Sequence, residues 1–232
     1  MERAVESPES PPPAGASAYF ALTGDVVSSR ELENRASVQR TLTRVLEELN
    51  EGLEAALATP VKLIAGDEVQ GLLHEPDAVV DVVTRIADAL HPVPMAWGLG
   101  RGTVSTDWSE DVSMMDGPCL HRAREAVEIA ASEGRWLVAR GIEAPHGEIL
   151  SALFNLIWTL RSSWTDTQLR YVREARERKQ IDVAALYDVT PQAVSKALDS
   201  ARFSVVVEGE RTARRYLEWL GTESEPVSNG NR

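Results

Sequence analysis

The chain has 232 residues, of which 43% are hydrophobic and 26% are charged, with a formal net charge of −12 at pH 7. This length suits one large core or two modest ones. No apolar stretch reaches the roughly 20 residues of a membrane-spanning helix, and the acidic balance argues against a surface that binds nucleic acid throughout. The one cysteine, Cys119, excludes an internal disulfide, and no sequence feature marks a base that would make it a nucleophile.

The two ends of the chain differ in composition from the rest. Residues 1–17 are rich in proline and serine and have no apolar centre, so they do not form a signal peptide and are predicted to be disordered. Residues 221–232 are predicted to be a second disordered tail. With no signal peptide, no membrane span and a single cysteine, we expect a cytoplasmic protein.

The first elements alternate between strand and helix. Residues 18–27 form an apolar, β-rich run that predicts a central strand with Asp25 at its functional end. Residues 30–57 have apolar positions at three- and four-residue steps, which indicates a long amphipathic helix. Two short apolar runs within residues 61–73 flank a Gly-Asp-Glu turn and predict a hairpin with Asp67 at its tip.

A second helix over residues 77–90 ends at prolines, and a strand over residues 95–104 follows. One face of that strand is almost bare, so that a helix, a ligand or another backbone can approach closely. The bare face consists of Ala96, Gly98, Gly100 and Gly102. A helix over residues 116–130 and a strand over 135–140 complete an α+β pattern, which predicts a ferredoxin-like or palm domain over residues 18–145.

The rest of the chain is predicted to be helical. An apolar helix lies within a connector over residues 146–163, and an amphipathic helix begins a module over residues 164–220. Two short helices within residues 180–203 have helix-turn-helix spacing, with Thr190 as the cap of the second. Asp188 stands in the turn where most such motifs have glycine, which is tolerable because aspartate enters the left-handed region more readily than most residues.

Charge favours this module as the place of any contact with DNA, because residues 158–220 carry 11 Lys/Arg against 9 Asp/Glu. If the module docks as such motifs do, polar residues of its second helix face the major groove and nearby basic residues contact phosphates. The groove-facing candidates are Gln192, Ser195 and Lys196, and the phosphate candidates are Arg176, Arg178, Lys179 and Arg202. A single copy would bind weakly, so a homodimer on two half-sites is expected. The alternative is a helical pair used for packing or dimerisation.

Four segments together resemble one bacterial family. They are GDVVSSR (24–30), GDEVQGLL (66–73), WGLGRGTVST (97–106) and DGPCLHRAREA (116–126), and the resemblance is to the SatD family. It covers nearly the whole chain from residue 18 to about residue 220. It implies an architecture more than an activity.

More distantly, the layout resembles the palm domain of class III nucleotidyl cyclases. In those enzymes one aspartate on the first strand and one on a hairpin hold metal ions against a triphosphate, and Asp25 and Asp67 occupy these places. Two such carboxylates can share Mg²⁺, which usually keeps waters and substrate phosphates as further ligands. The alternative is that both are ordinary turn and cap residues. Glu68 follows Asp67 directly, and the alternation along a strand predicts that it points to the opposite face.

Further ligand contacts are expected around these two aspartates. The candidates are Ser28, Ser29, Arg30, His121 and Arg124. The serines offer hydroxyl and amide groups in a phosphate-cradling turn, although helix capping explains them equally well. His121 and Arg124 lie on the polar stripe of the helix over residues 116–130, which we expect to face the bare glycine surface or a partner subunit.

Two cyclase features are absent. Where cyclases have an asparagine and, four residues later, an arginine, this chain has His121 and Glu125, and an acid there argues against efficient cyclisation. The base-selecting lysine is also replaced, by Leu63. The favoured hypothesis is therefore a DNA-binding transcriptional regulator that senses a nucleotide or related phosphate ligand. The alternatives are a Mg²⁺-dependent nucleotidyl cyclase or other NTP-acting enzyme, and a protein-interaction scaffold.

Overall fold

The computed structural model describes residues 18–29, 32, 34–64 and 66–222. The expected disordered segment 1–17, most of the expected tail and the candidate ligand residue Arg30 lie outside this part of the chain. No helix in the described part is long and apolar enough to cross a membrane.

Five strands form one mixed sheet. They are β1 (Tyr19–Val26), β2 (Leu57–Ile64), β3 (Glu68–Leu73), β4 (Met95–Gly102) and β5 (Leu137–Arg140). Their order is β2-β3-β1-β4-β5, with β4 and β5 parallel and the other neighbours antiparallel. The first four strands have the order of a ferredoxin-like sheet, so the predicted α+β palm arrangement is confirmed. Strand β1 lies at its centre and is buried on both faces.

Eight α-helices accompany the sheet in the described part of the chain. They are α1 (Arg35–Gly52), α2 (Val79–Leu90), α3 (Pro118–Glu133), α4 (His146–Arg161), α5 (Asp166–Ala175), α6 (Gln180–Leu186), α7 (Pro191–Ser200) and α8 (Phe203–Thr222). The first helix is shorter than the predicted 30–57 because Leu53 ends it and a 3₁₀ turn follows. The last helix reaches Thr222, two residues into the segment 221–232 that was expected to be disordered.

Helix α3 packs against the bare face of β4. A Cβ atom on Gly98 would lie 2.0 Å from the carbonyl oxygen of Ala123, and one on Gly100 would lie 2.2 Å from that of Cys119. Of the three expected occupants of this face, the structure therefore shows a helix. The small, buried stripe of α3 makes this contact, and the expectation that its polar stripe faces the glycines is wrong.

The helix-turn-helix pattern is confirmed as a structural unit. Asp188 adopts φ +52° in the turn between α6 and α7, as its residue type allows. The hydroxyl of Thr190 accepts a hydrogen bond from the amide of Ala193 and caps α7. Thr165 forms a capping box with Gln168 at the start of α5. Buried Val183, Ala184, Val194 and Leu198 hold the two short helices together.

One hydrophobic core runs through the sheet side of α1 and α2 and continues into the C-terminal helices. Leu217 and Leu220 of α8 belong to it, and α8 packs against α4 and against the 3₁₀ turn that precedes α2. The division into a palm domain, a connector and a helix-turn-helix module stays a prediction, because the two parts share this core.

A buried network of ion pairs joins α2, α4 and α8. The guanidinium of Arg161, with a side chain only 2% exposed, binds the carboxylates of Asp88 on α2 and Glu210 on α8, and it donates to the carbonyl oxygen of Thr84 at 3.2 Å. Arg176 adds two bonds to Glu210, at 2.6 and 2.9 Å. Arg176 is therefore engaged in this network, and its role as a phosphate contact stays a prediction.

Candidate functional site

A cleft of about 590 Å³ opens where β1 ends, beside the β2–β3 turn and α3. Its lining residues are Asp25, Asp67, Glu68, Arg124, Val127, Glu128, Ala131 and Ser132. The structure thus brings together the two predicted carboxylates and the predicted arginine. It adds Glu68, which was expected to point away. That expectation was wrong because Asp67 lies in the turn, where the alternation of a strand does not apply.

Asp25 owes its place to the central strand. It is the next-to-last residue of β1 and lies opposite Glu68 of β3 and Ala96 of β4, so its backbone is fixed on both sides. Burial raises the pKa of Asp25, the nearby charge of Asp67 raises it further, and a hydrogen bond from the Val26 amide opposes the two. A cation between the two carboxylates would relieve this repulsion.

Asp67 is held by its surroundings. The preceding Gly66 has φ +89°, and its carbonyl oxygen accepts a 2.8 Å hydrogen bond from Gln39 of α1. The hydroxyl of Ser29 donates to the Asp67 carboxylate, and Arg35 lies 3.4 Å from the same oxygen. Ser29 therefore orients a site residue and does not cap α1, which begins six residues later. Arg35 was not predicted from the sequence, because nothing in its local pattern points to the hairpin.

The α3 side of the cleft is mostly acidic. Arg124 donates a 2.8 Å hydrogen bond to Glu68, and Glu128 lies one turn further along the helix. The cleft therefore contains four carboxylates and one guanidinium. Glu125 lies outside its lining, 3.8 Å from Arg140.

Two predicted ligand residues lie elsewhere. His121 lines a neighbouring cleft of about 330 Å³, with its Nε2 atom 2.5 Å from Asp116, so the structure does not bring it to Asp25 and Asp67. Ser28 is exposed in a left-handed turn at φ +53° and is not part of the cleft lining. Burial raises the pKa of Cys119 to about 11, which keeps its thiol protonated and excludes it as a nucleophile at neutral pH.

The donor set suits a cation that brings ligands of its own. Within the described residues no three His, Cys, Asp or Glu side chains are grouped closely enough to hold a metal. Mg²⁺ does not require three protein side chains, since it is commonly bound through one or two carboxylates together with substrate phosphates and water. Asp25 and Asp67 fit that pattern, and their placement in one cleft is the observation that favours a cation there.

Asp25→Asn is expected to stabilise the free protein at pH 7. A carboxyl whose pKa is raised on folding destabilises the folded state above that pKa, and this penalty disappears below the ordinary value of 3.8. The Tm at pH 7 should therefore rise, and solvent screening of this partly exposed carboxyl keeps the rise small. The gain should fade as the pH falls towards 3.8. Thermal unfolding at several pH values, with the exposed Asp107→Asn as control, tests this; a lower Tm at pH 7 would contradict it.

The predicted DNA-contact residues lie at exposed or partly exposed positions of the C-terminal helices. On α7, Gln192 and Lys196 are exposed and Ser195 is partly exposed. Lys179 precedes α6, and Arg202 stands at φ +54° just before α8; both are exposed. Lys179, Lys196 and Arg202 form no ion pair with the part of the chain that is described. Arg178 pairs with Glu174 at 2.9 Å.

Comparisons with known proteins give one family and several weak structural likenesses. Two structures of a bacterial light-regulated adenylyl cyclase share 15% and 16% identity with the chain, with TM-scores of 0.40 and 0.39. Each covers 53% of this chain, and 74% and 42% of those chains are covered. A regulator of polyketide synthase expression from Bifidobacterium adolescentis shares 13% identity, covers 90% of this chain and 82% of its own, and has a TM-score of 0.25.

No similar protein was found among curated sequences. The model of the SatD family, in contrast, matches residues 19–217, which is most of the chain and includes both the sheet and the C-terminal helices. This chain therefore belongs to the SatD family.

Proposed function

We propose that this protein is a cytoplasmic DNA-binding regulator whose cleft binds a nucleotide or related phosphate ligand together with Mg²⁺. The observation that carries the ligand part is the placement of Asp25 and Asp67 in one cleft at the end of the central strand. Mg²⁺ is the cation that such a pair suits, and the phosphates of the ligand complete its coordination.

The charge of the cleft makes metal and ligand depend on each other. Four carboxylates face one guanidinium among the described lining residues, and Arg35 pairs with only one of the four, so a free polyphosphate is repelled. Two carboxylates alone hold Mg²⁺ weakly. When metal and ligand bind together, the positive charge of the metal offsets the negative charges of the cleft and of the phosphates. We therefore expect each to bind poorly without the other.

The state of Arg124, the one cation among the described residues that line the cleft, favours binding over catalysis. Arg124 is held by Glu68, and Glu125 replaces the arginine that would stabilise transition-state charge in a cyclase. The enzyme alternative, a nucleotidyl cyclase or other NTP-acting enzyme, keeps the support of the paired carboxylates. Turnover of an NTP by the pure protein, lost in Asp67→Asn, would establish it. A scaffold without any ligand is the remaining alternative.

DNA binding as a homodimer is the second part of the proposal. The exposed polar surface of α7 and the unpaired Lys179, Lys196 and Arg202 support a contact with bases and phosphates. A face of α4 supports self-association, because no charged residue lies between Glu148 and Arg161. Its exposed positions include Ile149 at 49% and Leu156 at 67% of their maximum exposure. A second copy would cover this uncharged face and provide a second α7.

Lys196→Ala is expected to weaken binding to all duplexes and to reduce the salt dependence of binding, because it removes one cation that contacts the DNA phosphates in the proposed complex. Gln192→Ala removes a side chain that is expected to contact a base. It should weaken binding to the preferred site by about 1–3 kcal/mol and leave binding to other duplexes unchanged. Duplexes selected from a random pool, fluorescence anisotropy and the mass of the complex would measure this. Arg211→Ala, an exposed arginine of α8, is the control. Equal binding by all variants, or one protein copy per site, would contradict the assignment.

Thermodynamic linkage relates ligand binding in the cleft to DNA binding by the C-terminal helices. If the Mg²⁺-nucleotide complex changes the affinity for DNA by some factor, DNA must change the affinity for that complex by the same factor. Titrations in both orders should therefore give equal ratios. Binding of each that leaves the other unchanged would separate the cleft from the DNA-binding function.

A further inference from the structure

A second cavity, of about 290 Å³, lies where α1 and α2 of the sheet-bearing part meet α5 of the C-terminal helices. It lies apart from the Asp25 cleft and shares no lining residue with it. Its lining residues are Arg44, Val45, Glu48, Leu49, Arg85, Asp88, Ala89 and Arg173. Three arginines, one from each of three helices, thus line this cavity.

The two carboxylates of this cavity are already engaged. Asp88 binds the buried guanidinium of Arg161, which is not among the residues that line the cavity. Glu48 accepts a 2.8 Å bond from Arg44, and both of these side chains are more than half exposed. An exposed pair of this kind contributes only about 0–1 kcal/mol, so an incoming anion displaces it at little cost.

Arg85 and Arg173 have no such partner. Neither forms an ion pair or hydrogen bond with any residue between 18 and 222 that the structure describes. Both lie beside the same cavity, which distinguishes them from the other basic side chains without an ion pair in the described residues. Two unpaired guanidinium groups around one cavity create a positive potential that an anion would neutralise.

We infer that this cavity binds a small oxyanion of the phosphate class, held by the guanidinium groups of Arg85 and Arg173 with Arg44 at the rim. Forked guanidinium donors match the oxygens of a phosphate group. Because Arg85 belongs to α2 and Arg173 to α5, the bound anion bridges the sheet-bearing part and the helical module. Binding should therefore stabilise the contact between them. The inference does not depend on the function proposed for the Asp25 cleft.

Calorimetric titration of inorganic phosphate and pyrophosphate into the full chain, at constant ionic strength set with chloride, tests this inference. Binding is expected in the wild type, with pyrophosphate tighter. Arg85→Gln/Arg173→Gln should lower the affinity by about tenfold or more, because charge-assisted hydrogen bonds are lost. The control Arg211→Gln/Arg215→Gln removes the same charge from exposed positions on α8 and should leave binding unchanged. Asp67→Asn should also leave it unchanged, which separates this site from the other cleft.

Circular dichroism should show native folding of the double variant, since both side chains are exposed; the two single variants serve as a second series with smaller losses. Equal loss of binding in the α8 control would indicate screening by overall charge and would overturn the inference. So would phosphate binding that survives the Arg85 and Arg173 changes. Binding of duplex DNA at this cavity without binding of phosphate or pyrophosphate would indicate a site for the nucleic-acid backbone. That result would also overturn the inference.

Discussion

Gly98→Ala should destabilise the protein by about 3 kcal/mol or more, the upper range for overpacking a core. The new Cβ would lie 2.0 Å from the Ala123 carbonyl oxygen and 2.4 Å from the Val127 amide nitrogen. Both are backbone atoms of α3, so a side-chain rotation cannot relieve the contact and the helix must move away from β4. Urea unfolding monitored by circular dichroism measures the free energy of unfolding.

Gly52→Ala provides the matched control. This glycine ends α1, and the nearest atom to its added Cβ, the guanidinium of Arg85, lies 3.8 Å away. Alanine favours the helix over glycine by up to about 1 kcal/mol, so the control should be neutral or slightly stabilising. A loss below about 1 kcal/mol in Gly98→Ala would mean that α3 does not rest on β4 as closely as described.

Arg161→Met is expected to cost about 3–5 kcal/mol, because it removes a buried cation that two largely buried carboxylates share. Asp88 loses the partner that the structure gives it, while Glu210 keeps only Arg176. The change also removes the stacking of the guanidinium on Trp164, whose ring centre lies 4.9 Å away. Because the network joins α2, α4, α5 and α8, the sheet and the C-terminal helices should lose stability together.

Chemical unfolding followed both by intrinsic tryptophan fluorescence and by far-ultraviolet circular dichroism measures this cost. The control Arg211→Met alters an exposed arginine and should stay within about 0.5 kcal/mol of the wild type. Arg161→Lys should recover part of the loss, since it restores the charge without the forked geometry. A cost of less than about 1 kcal/mol for Arg161→Met would show that the network does not hold the two parts together.

Local patterns were sufficient for much of the fold. The alternation of small residues in residues 95–104 predicted a close approach, and the turn chemistry around Asp188 and Thr190 predicted the α6–α7 pair. The two Gly-Asp steps likewise placed Asp25 and Asp67 at strand ends. These features depend on residues near one another in the chain, where period, caps and turn types are decisive.

The missed features depend on pairs that are distant in the chain. Arg161 finds Asp88 and Glu210 across 73 and 49 residues, and no spacing rule connects them. Arg35 reaches Asp67 only because α1 passes beside the hairpin. His121 shows a different error: one helical stripe was treated as one site, although the stripe spans two clefts separated by the Arg124–Glu68 pair.

The most direct test of the central claim is isothermal titration of NTPs and cyclic nucleotides into the pure protein, with and without Mg²⁺, in wild type, Asp25→Asn and Asp67→Asn. Asp107→Asn, an exposed carboxylate outside the cleft, is the control. The account predicts binding of at least one nucleotide that requires Mg²⁺, is lost in both cleft variants and persists in the control. Binding that ignores Mg²⁺ or survives both cleft variants, or no binding of any nucleotide, would contradict the assignment of this cleft as a metal-dependent nucleotide site.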